Sequence, residues 1–420
     1  MIDRGRRRCG TVTLSTMGLG LICLILLISG CADLSLLSPQ EPVTIRFAHA
    51  GDAGYYVPLV EAFQQEHKHI TIELVTPSMV GFGQFSELDV LVVPQFALNF
   101  LLDAGFPIDL STFMAEDADF RLEDFYPTGV SLLSTGGQRW AVPYMADLLV
   151  MAYNRDLFDR TQVPYPDADW TWEGFLERAL SLTDRTEGVF GYATYPSGQL
   201  SMYEAMIFMY QQGGRLFDDL DEPTMMTIND PNNVLAMQWY ADLIHRHAVV
   251  PGPGERRIPY PQTGIETGRY AMWMSWLSDV ETLQRDLGAG PVNVGVAPMP
   301  RGPQPLTIGT VYGIVISSQT SDPTACWEWA SYISQQPPPA LAPLRHSLVE
   351  GDAEVNARSE IADVTRASVP VMIGMNLGPE GPLWNRWGIA MQAFGGALAA
   401  IQNGEAVGPA LDEAQRKLNF

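Results

Sequence analysis

Cysteine is almost missing from this chain. Of four, Cys9 and Cys23 fall in the leader, which leaves only Cys31 and Cys326, too few for a disulfide scaffold. Positive charge is also scarce. Twenty-five Lys and Arg stand against 48 Asp and Glu, a net charge of -23. Removing the first thirty residues, with four Arg and one Asp, leaves 21 against 47, or -26. Nucleic-acid affinity rests on cations that neutralise phosphates, so a body this acidic excludes DNA or RNA as partner. Signatures of catalysis are lacking as well: there is no Gly-x-Ser-x-Gly elbow and no phosphate loop ending in Gly-Lys-Ser/Thr. Gly81-Phe-Gly83 lacks the third glycine of a dinucleotide site. Asp218-Asp219-Leu-Asp221-Glu222 lacks the calcium-loop spacing and reads as a solvated loop. His67-x-His69 and His245-x-His247 lie near helix ends in polar company and read as surface histidines, not metal pairs. No cofactor and no metal is expected.

What is present begins with a basic start, Arg4 and Arg6-Arg-Arg8, then an apolar run over about residues 19–28, then Ile28-Ser29-Gly30-Cys31. A short apolar run with small residues before a cut is signal-peptide organisation. The last four residues resemble a bacterial lipobox, which implies cleavage before Cys31 and its lipidation. Residues 1–30 are then the signal peptide, and 31–41, with Ser35, Ser38 and Pro39, a tether. The expected location is extracytoplasmic, membrane-anchored, at the cell surface or in the periplasm.

At 420 residues the chain is expected to hold two or three domains. Val43, Ile45 and Phe47 alternate as in a half-buried strand, as do Ile70, Ile72 and Leu74. Asp89-Val-Leu-Val-Val-Pro94 is a continuous apolar run, as in a parallel strand buried on both faces. Leu148–Asn154 is another. Thr171 is placed to cap a helix with Phe175, Ala179 and Leu182 on one face, and Asp230-Pro231 opens a second. A strand is expected over 292–296 and another over 313–317, and an amphipathic region over about 385–418. Strands alternating with helices give two α/β lobes, the chain changing lobe near 145 and again near 298.

Several stretches together resemble the extracellular solute-binding proteins of ABC importers, in particular the maltose/oligosaccharide-type group (family 1). They are Trp140-Ala-Val-Pro143, then Ala152-Tyr153-Asn154-Arg-Asp156-Leu157-Phe158 and Thr171-Trp172-Glu173-Gly-Phe175. Gly268-Arg269-Tyr-Ala271-Met272 with Trp276 comes next, then Val294-Gly-Val-Ala-Pro298-Met-Pro300, and Asn403-Gly404 before Ala410-Leu411-Asp-Glu-Ala414. Gly51-Asp52-Ala-Gly54-Tyr55 is similar to the family's turn after the first strand. Leu88 before Asp89, Arg269 and the bulky Tyr270 depart from the pattern, and put the ligand in question more than the fold.

The resemblance implies a two-lobed periplasmic-binding-protein-like fold (type II), each lobe a mainly parallel sheet flanked by helices, with a ligand cleft between them. The N-terminal lobe would be 42–145 with 298–345, the C-terminal lobe 146–297 with 346–420. It implies a monomer that captures a carbohydrate and presents it to permease subunits, not an enzyme. Residues falling where the family lines its cleft are Asp52 and Tyr55 after the first strand, Tyr144 and Asp147 at the crossover, and Tyr203. Trp276 and Asp279 follow the Ala-Met strand, Tyr312 the next crossing, and Trp384, Arg386 and Trp387 precede the last helical region. Aromatic faces suit sugar C–H surfaces and a few polar groups suit hydroxyls. Asp52 and Asp147 are equally placed for capping or hinge hydrogen bonds. Trp273, Trp329, Met202, Met206 and Met209 are expected in the core. A cationic solute such as a polyamine is the rival ligand, favoured if Asp52, Asp147 and Asp279 converge without Arg386. An anchored glycan-acting enzyme would need two carboxyls about 5–10 Å apart, and a receptor for sensing would keep the same fold.

Overall fold

Alternation in Val43–Ala48 places Ile45 and Phe47 in the core, and this strand (β1) leads through a Gly51 turn into α1, Ala53–Glu66. Asp52 caps α1, accepting from the Gly54 amide at 2.9 Å. The computed structural model describes residues 41–76, 87–195, 198–219, 224–253, 255, 261–287, 292–339, 341–351, 359–374 and 384–418. Thr44–Phe420 form one unit. Cys31 and the leader lie outside the described residues.

After β2 (Ile70–Val75) comes β3 (Val90–Pro94), whose apolar run is buried as its sequence requires, and then α2, Gln95–Asp103. A two-residue hairpin, β4 and β5 (Ser134–Thr135, Gln138–Arg139), precedes β6, Val142–Asn154. All thirteen residues of β6 are buried, because it runs through both halves of the molecule. Thr171 caps α3 (Trp172–Leu182), accepting from the Gly174 amide, and leads to β7 (Phe190–Ala193) and α4 (Gln199–Gln211). Asp230 with Pro231 starts α5, Pro231–His245. Next come β8 (Tyr270–Trp276), α6 (Leu277–Leu287), β9 (Val294–Ala297), β10 (Thr307–Ile316) and α7 (Pro323–Ser334). The short β11 (Ala342–Pro343), α8 (Ser359–Ser368) and β12 (Met372–Gly374) precede α9 (Trp384–Gln402) and α10 (Val407–Leu418).

The main sheet runs β2-β1-β3-β10-β6-β8-β7, with β9 and β11 also on β6 and β12 on β10. Pairing is parallel toward the flanks, β1 with β3 and β7 with β8. The two long central strands, β6 and β10, run antiparallel to each other, β10 also to β3 and β6 to β8, while the short β12 lies parallel to β10. Two α/β halves therefore share one pair of strands. Trp273 and Trp329 are buried at 1% and 0%, and Met202, Met206 and Met209 pack in the core of the second half, as expected. Trp172, Phe175, Phe208 and Trp239 meet edge-on or tilted at 4.6–6.1 Å in that core. No helix among the described residues is long and apolar enough to cross a membrane.

Close approach of α3 to β7 depends on Gly191. A Cβ there would stand 2.1 Å from the Ala179 carbonyl oxygen and 2.6 Å from its Cα, all backbone. Overpacking against backbone cannot be relieved by a rotamer change. Gly191→Ala is expected to cost at least about 2 kcal/mol, seen as a lower urea midpoint at unchanged slope. An unchanged midpoint would mean that α3 slides freely on the sheet.

Candidate functional site

Two groups of the expected residues form, joined by β6. The register of β6 on β10 slips between Tyr312 and Gly313: Gly313 faces Pro143 while Tyr312 faces Met145, so Tyr144 is the extra residue of a β-bulge. Bulges bend a strand and re-aim a side chain. Tyr144 is thereby brought against Tyr55 and Tyr56 of α1, and burial, with those two hydroxyls, raises its pKa. Tyr144 is only 1% exposed. The Tyr55 hydroxyl donates to the Pro337 carbonyl, so that side chain ties the first turn of α1 to the segment that follows α7. Asp52 is exposed and engaged as the cap of α1.

The second group gathers where β6, β8 and β10 meet the start of α6. Asp147, 9% exposed, accepts from the Ser278 amide at 3.1 Å and from its hydroxyl at 2.6 Å, so it caps α6 from a different strand. Burial pushes the Asp147 pKa up to about 6 despite these two bonds, and the neighbouring charge of Asp279 adds to the rise. Asp279, at the solvent edge of the first turn of α6, is itself raised by partial desolvation. Tyr312 shares the face of Asp147, since Thr310 pairs with Asp147 and Tyr312 lies two residues on. Burial and then the Asp147 charge raise its pKa. Trp276 ends β8 half-buried, and the Tyr203 ring meets it at 5.6 Å, edge-on at 86°. Gln199 donates to the Tyr203 hydroxyl at 2.8 Å, and burial moves the Tyr203 pKa up to about 12.

Asp52 does not join Asp147 and Asp279: its charge acts on His49, in the first group. Trp384, Arg386 and Trp387 belong to the first turn of α9, but their side chains lie outside the described residues. Four neighbours were not anticipated. Ser278 is one; Tyr195, whose hydroxyl donates to the Met274 carbonyl at 2.9 Å, is another. Glu204, wholly buried, accepts from the Tyr192 hydroxyl at 2.5 Å and from the Tyr195 amide at 3.4 Å, tying β7 to α4. Gln199 is the fourth. Only Ser278 carried a sequence signal, a small hydroxyl residue before Asp279 at a helix start.

Among the described residues no group of His, Cys, Asp and Glu could hold a metal ion. His67 sits 2.8 Å from Glu328, and His245 bonds the Ile401 carbonyl at 2.8 Å. Cys326 is buried, and burial pushes its thiol up to about 12, which makes it inert as a nucleophile. A shallow cavity beside residues 298–307, lined by Gln211, Met299, Pro300 and Ser368, contains none of the expected residues. An aromatic platform beside carboxylates that can only accept when ionised is equipped to hold a polyhydroxylated molecule: ring faces take C–H surface, oxygens take O–H donors.

The sequence profile of bacterial extracellular solute-binding proteins matches residues 49–336. An arabinooligosaccharide-binding protein of Halalkalibacterium halodurans is 26% identical over 187 residues, 44% of this chain and 38% of that protein. A mannitol-binding protein of Pseudomonas aeruginosa is 23% identical over 263 residues, 59% of this chain and 58% of that one. The chain thus spans less than two thirds of the length of the curated relatives it matches. Among solved structures, the sugar-binding protein MalE of Xanthomonas citri superposes with a TM-score of 0.68 at 18% identity, over 89% of this chain and 96% of that one. An ABC substrate-binding protein of Listeria monocytogenes in complex with cycloalternan gives 0.62 at 21%, over 90% and 98%. The fold is accordingly the two-lobed one, each half of the sheet with its helices forming a lobe.

Proposed function

Because the chain belongs to the bacterial extracellular solute-binding protein family, we propose that it captures a carbohydrate outside the cytoplasm and delivers it to an ABC importer. The observation that carries this reading is the half-buried Trp276 ring, braced edge-on by the buried Tyr203 and three residues before Asp279, whose charge acts on Asp147 as that of Asp147 acts on Tyr312. The relatives named for arabinooligosaccharide and mannitol support a neutral, hydroxyl-rich solute. In this reading the lobes are 42–145 with 298–345 and 146–297 with 346–420, and the shared strands β6 and β10 carry the hinge. A solute that touches both lobes only when they are closed shifts the population toward the closed form. Lipidation of Cys31 would hold the body at the membrane next to permease subunits, as a monomer on a tether. A binding role without turnover completes the proposal.

Purified protein is to be screened by thermal shift against pentose and hexose oligosaccharides, sugar alcohols, polyamines and amino acids. A solute at 100 times its Kd adds about 2.7 kcal/mol. A sugar or polyol that raises the midpoint and is recovered intact supports the reading; its recovery in cleaved form would replace it with an enzyme. A response to polyamines alone would remove the carbohydrate. Trp276→Ala, removing the platform, is expected to weaken binding of the responding sugar at least about tenfold, roughly 1.4 kcal/mol, by calorimetry. Unchanged affinity would place the solute elsewhere.

A further inference from the structure

Eight buried side-chain nitrogen and oxygen atoms among the described residues make no hydrogen bond, and four of them belong to one cluster: both ring nitrogens of His49 and the hydroxyls of Tyr56 and Tyr144. His49 follows β1, Tyr56 lies in the first turn of α1, and Tyr144 is the bulge residue of β6. Their exposures are 1%, 0% and 1%. The His49 and Tyr56 rings are 5.1 Å apart, Phe47 closes one side edge-on to Tyr56 at 5.4 Å, and Tyr55 closes another at 5.0 Å. The Tyr144 hydroxyl lies close to those of Tyr56 and Tyr55, and the Tyr56 hydroxyl and the His49 ring lie close to the backbone at Ala50, His49 also to that at Gly51, near enough to influence titration, but the four atoms make no bond of good geometry.

A buried polar group with no partner is destabilising, and three such side chains against one another multiply that cost. Desolvation lowers the His49 pKa, so the ring is neutral, with one donor and one acceptor. Each hydroxyl adds a donor and lone pairs. Such a set, mixed in donors and acceptors and carrying no charge, matches water, which both donates and accepts, better than an ion that does only one of these. Buried waters make two to four bonds to groups of this kind.

The geometry points to a buried water site enclosed by His49, Tyr56 and Tyr144, beneath the 51–54 turn, that pins β1, α1 and the bulge of β6 together. It is independent of which solute the protein carries. The sign of a hydroxyl deletion tests it. Where water bonds the hydroxyls, Tyr144→Phe and Tyr56→Phe each lower the unfolding midpoint by about 1–3 °C, and the double variant falls by less than the sum, because both lose the same water. Where the hydroxyls are dry, deletion relieves an unsatisfied group and the midpoint rises; a rise, or strictly additive losses, overturns the site. A crystal structure of the full folded body at about 1.5 Å or better decides independently of the variants. Density within hydrogen-bond distance of two or more of the four atoms supports the site, and direct contact of the imidazole with a hydroxyl, without such density, overturns it.

Discussion

Replacing Arg345 by methionine is expected to cost the fold about 3–5 kcal/mol, the range for breaking one side of a buried ion pair. Arg345 is 2% exposed and Asp124 9%, with nitrogen and oxygen 3.3 Å apart. The guanidinium also donates to the Ser334 carbonyl and hydroxyl, each at 3.0 Å, and to the Phe120 carbonyl at 2.9 Å. It lies over Phe125 at 4.0 Å and Phe120 at 5.1 Å. Methionine fills the space between the rings but leaves Asp124 with Ser347, which donates through its amide at 2.9 Å and its hydroxyl at 2.5 Å, and with the exposed Arg121 guanidinium 3.8 Å away. Burial pushes the Asp124 carboxyl up, yet Ser347 and Arg345 together hold it below the ordinary value. A depressed carboxylate contributes stability above its ordinary pKa and loses it as pH falls through the folded one. The deficit of the variant is therefore full at neutral pH and shrinks in acid. Urea unfolding at pH 7 and near pH 3 measures both. Adding Asp124→Asn should recover part of the loss, since the remaining cost is then the Ser334 and Phe120 carbonyls without their donor and no buried charge, the Ser334 hydroxyl keeping its bond to the Ser331 carbonyl. A loss below about 1 kcal/mol at pH 7 would mean that water enters and repairs the clamp.

That clamp is invisible in the sequence, and the reason is general to this chain. Its partners are separated by 221 residues, and no local pattern marks Arg345 as buried. What the sequence does carry is local: the alternation of β1, the apolar run of β3, the Thr171 cap and the Asp230-Pro231 start all appear where their patterns place them. The amphipathic region from 385 to 418 divides into two helices, because Asn403-Gly404 stops the first. Gly404 has φ +96°, a left-handed turn that glycine alone adopts without strain. β11 and β12, two and three residues long, are too short to show a period.

The candidate site obeys the same division. Residue type gave the aromatics and carboxylates at strand ends, and motif order brought them to one family's fold. Their pairings were beyond reach. The bulge at Tyr144 depends on the register of β10, and the Ser278–Asp147 bond spans 131 residues. Asp52 and Asp147 were equally suited to capping or to ligand, and both cap a helix: Asp52 from an exposed turn, Asp147 from within the sheet, with lone pairs left for a donor on its other side.

Asp147 yields the second large effect. Its folded pKa of about 6 lies above the ordinary 3.8, chiefly through burial. Between these values the folded chain holds a proton that the unfolded chain has released, so folding is favoured by protonation. The contribution is fully present below about pH 4 and is lost as pH rises through 6. From there upward the native state carries a poorly solvated carboxylate, at a cost on the order of 3 kcal/mol. Asp109, Asp124 and Asp218 are depressed and act in the opposite sense, in more acid solution, so the whole protein's profile mixes the two. Comparison with Asp147→Asn separates them. Asparagine keeps an oxygen for the Ser278 amide and offers an NH2 that donates to the Ser278 hydroxyl oxygen, but it cannot ionise. The variant should match the parent near pH 4 and exceed it in stability by up to about 3 kcal/mol at pH 8, the gap opening between pH 4 and 6. Urea midpoints across that range, without added solute, measure it. A gap of the same size at every pH would show that the variant changes packing and not the titration. A gap of opposite sign at pH 8 would mean that the positive end of α6 and the Ser278 bonds outweigh burial, and that the carboxylate stabilises β6, on which it stands.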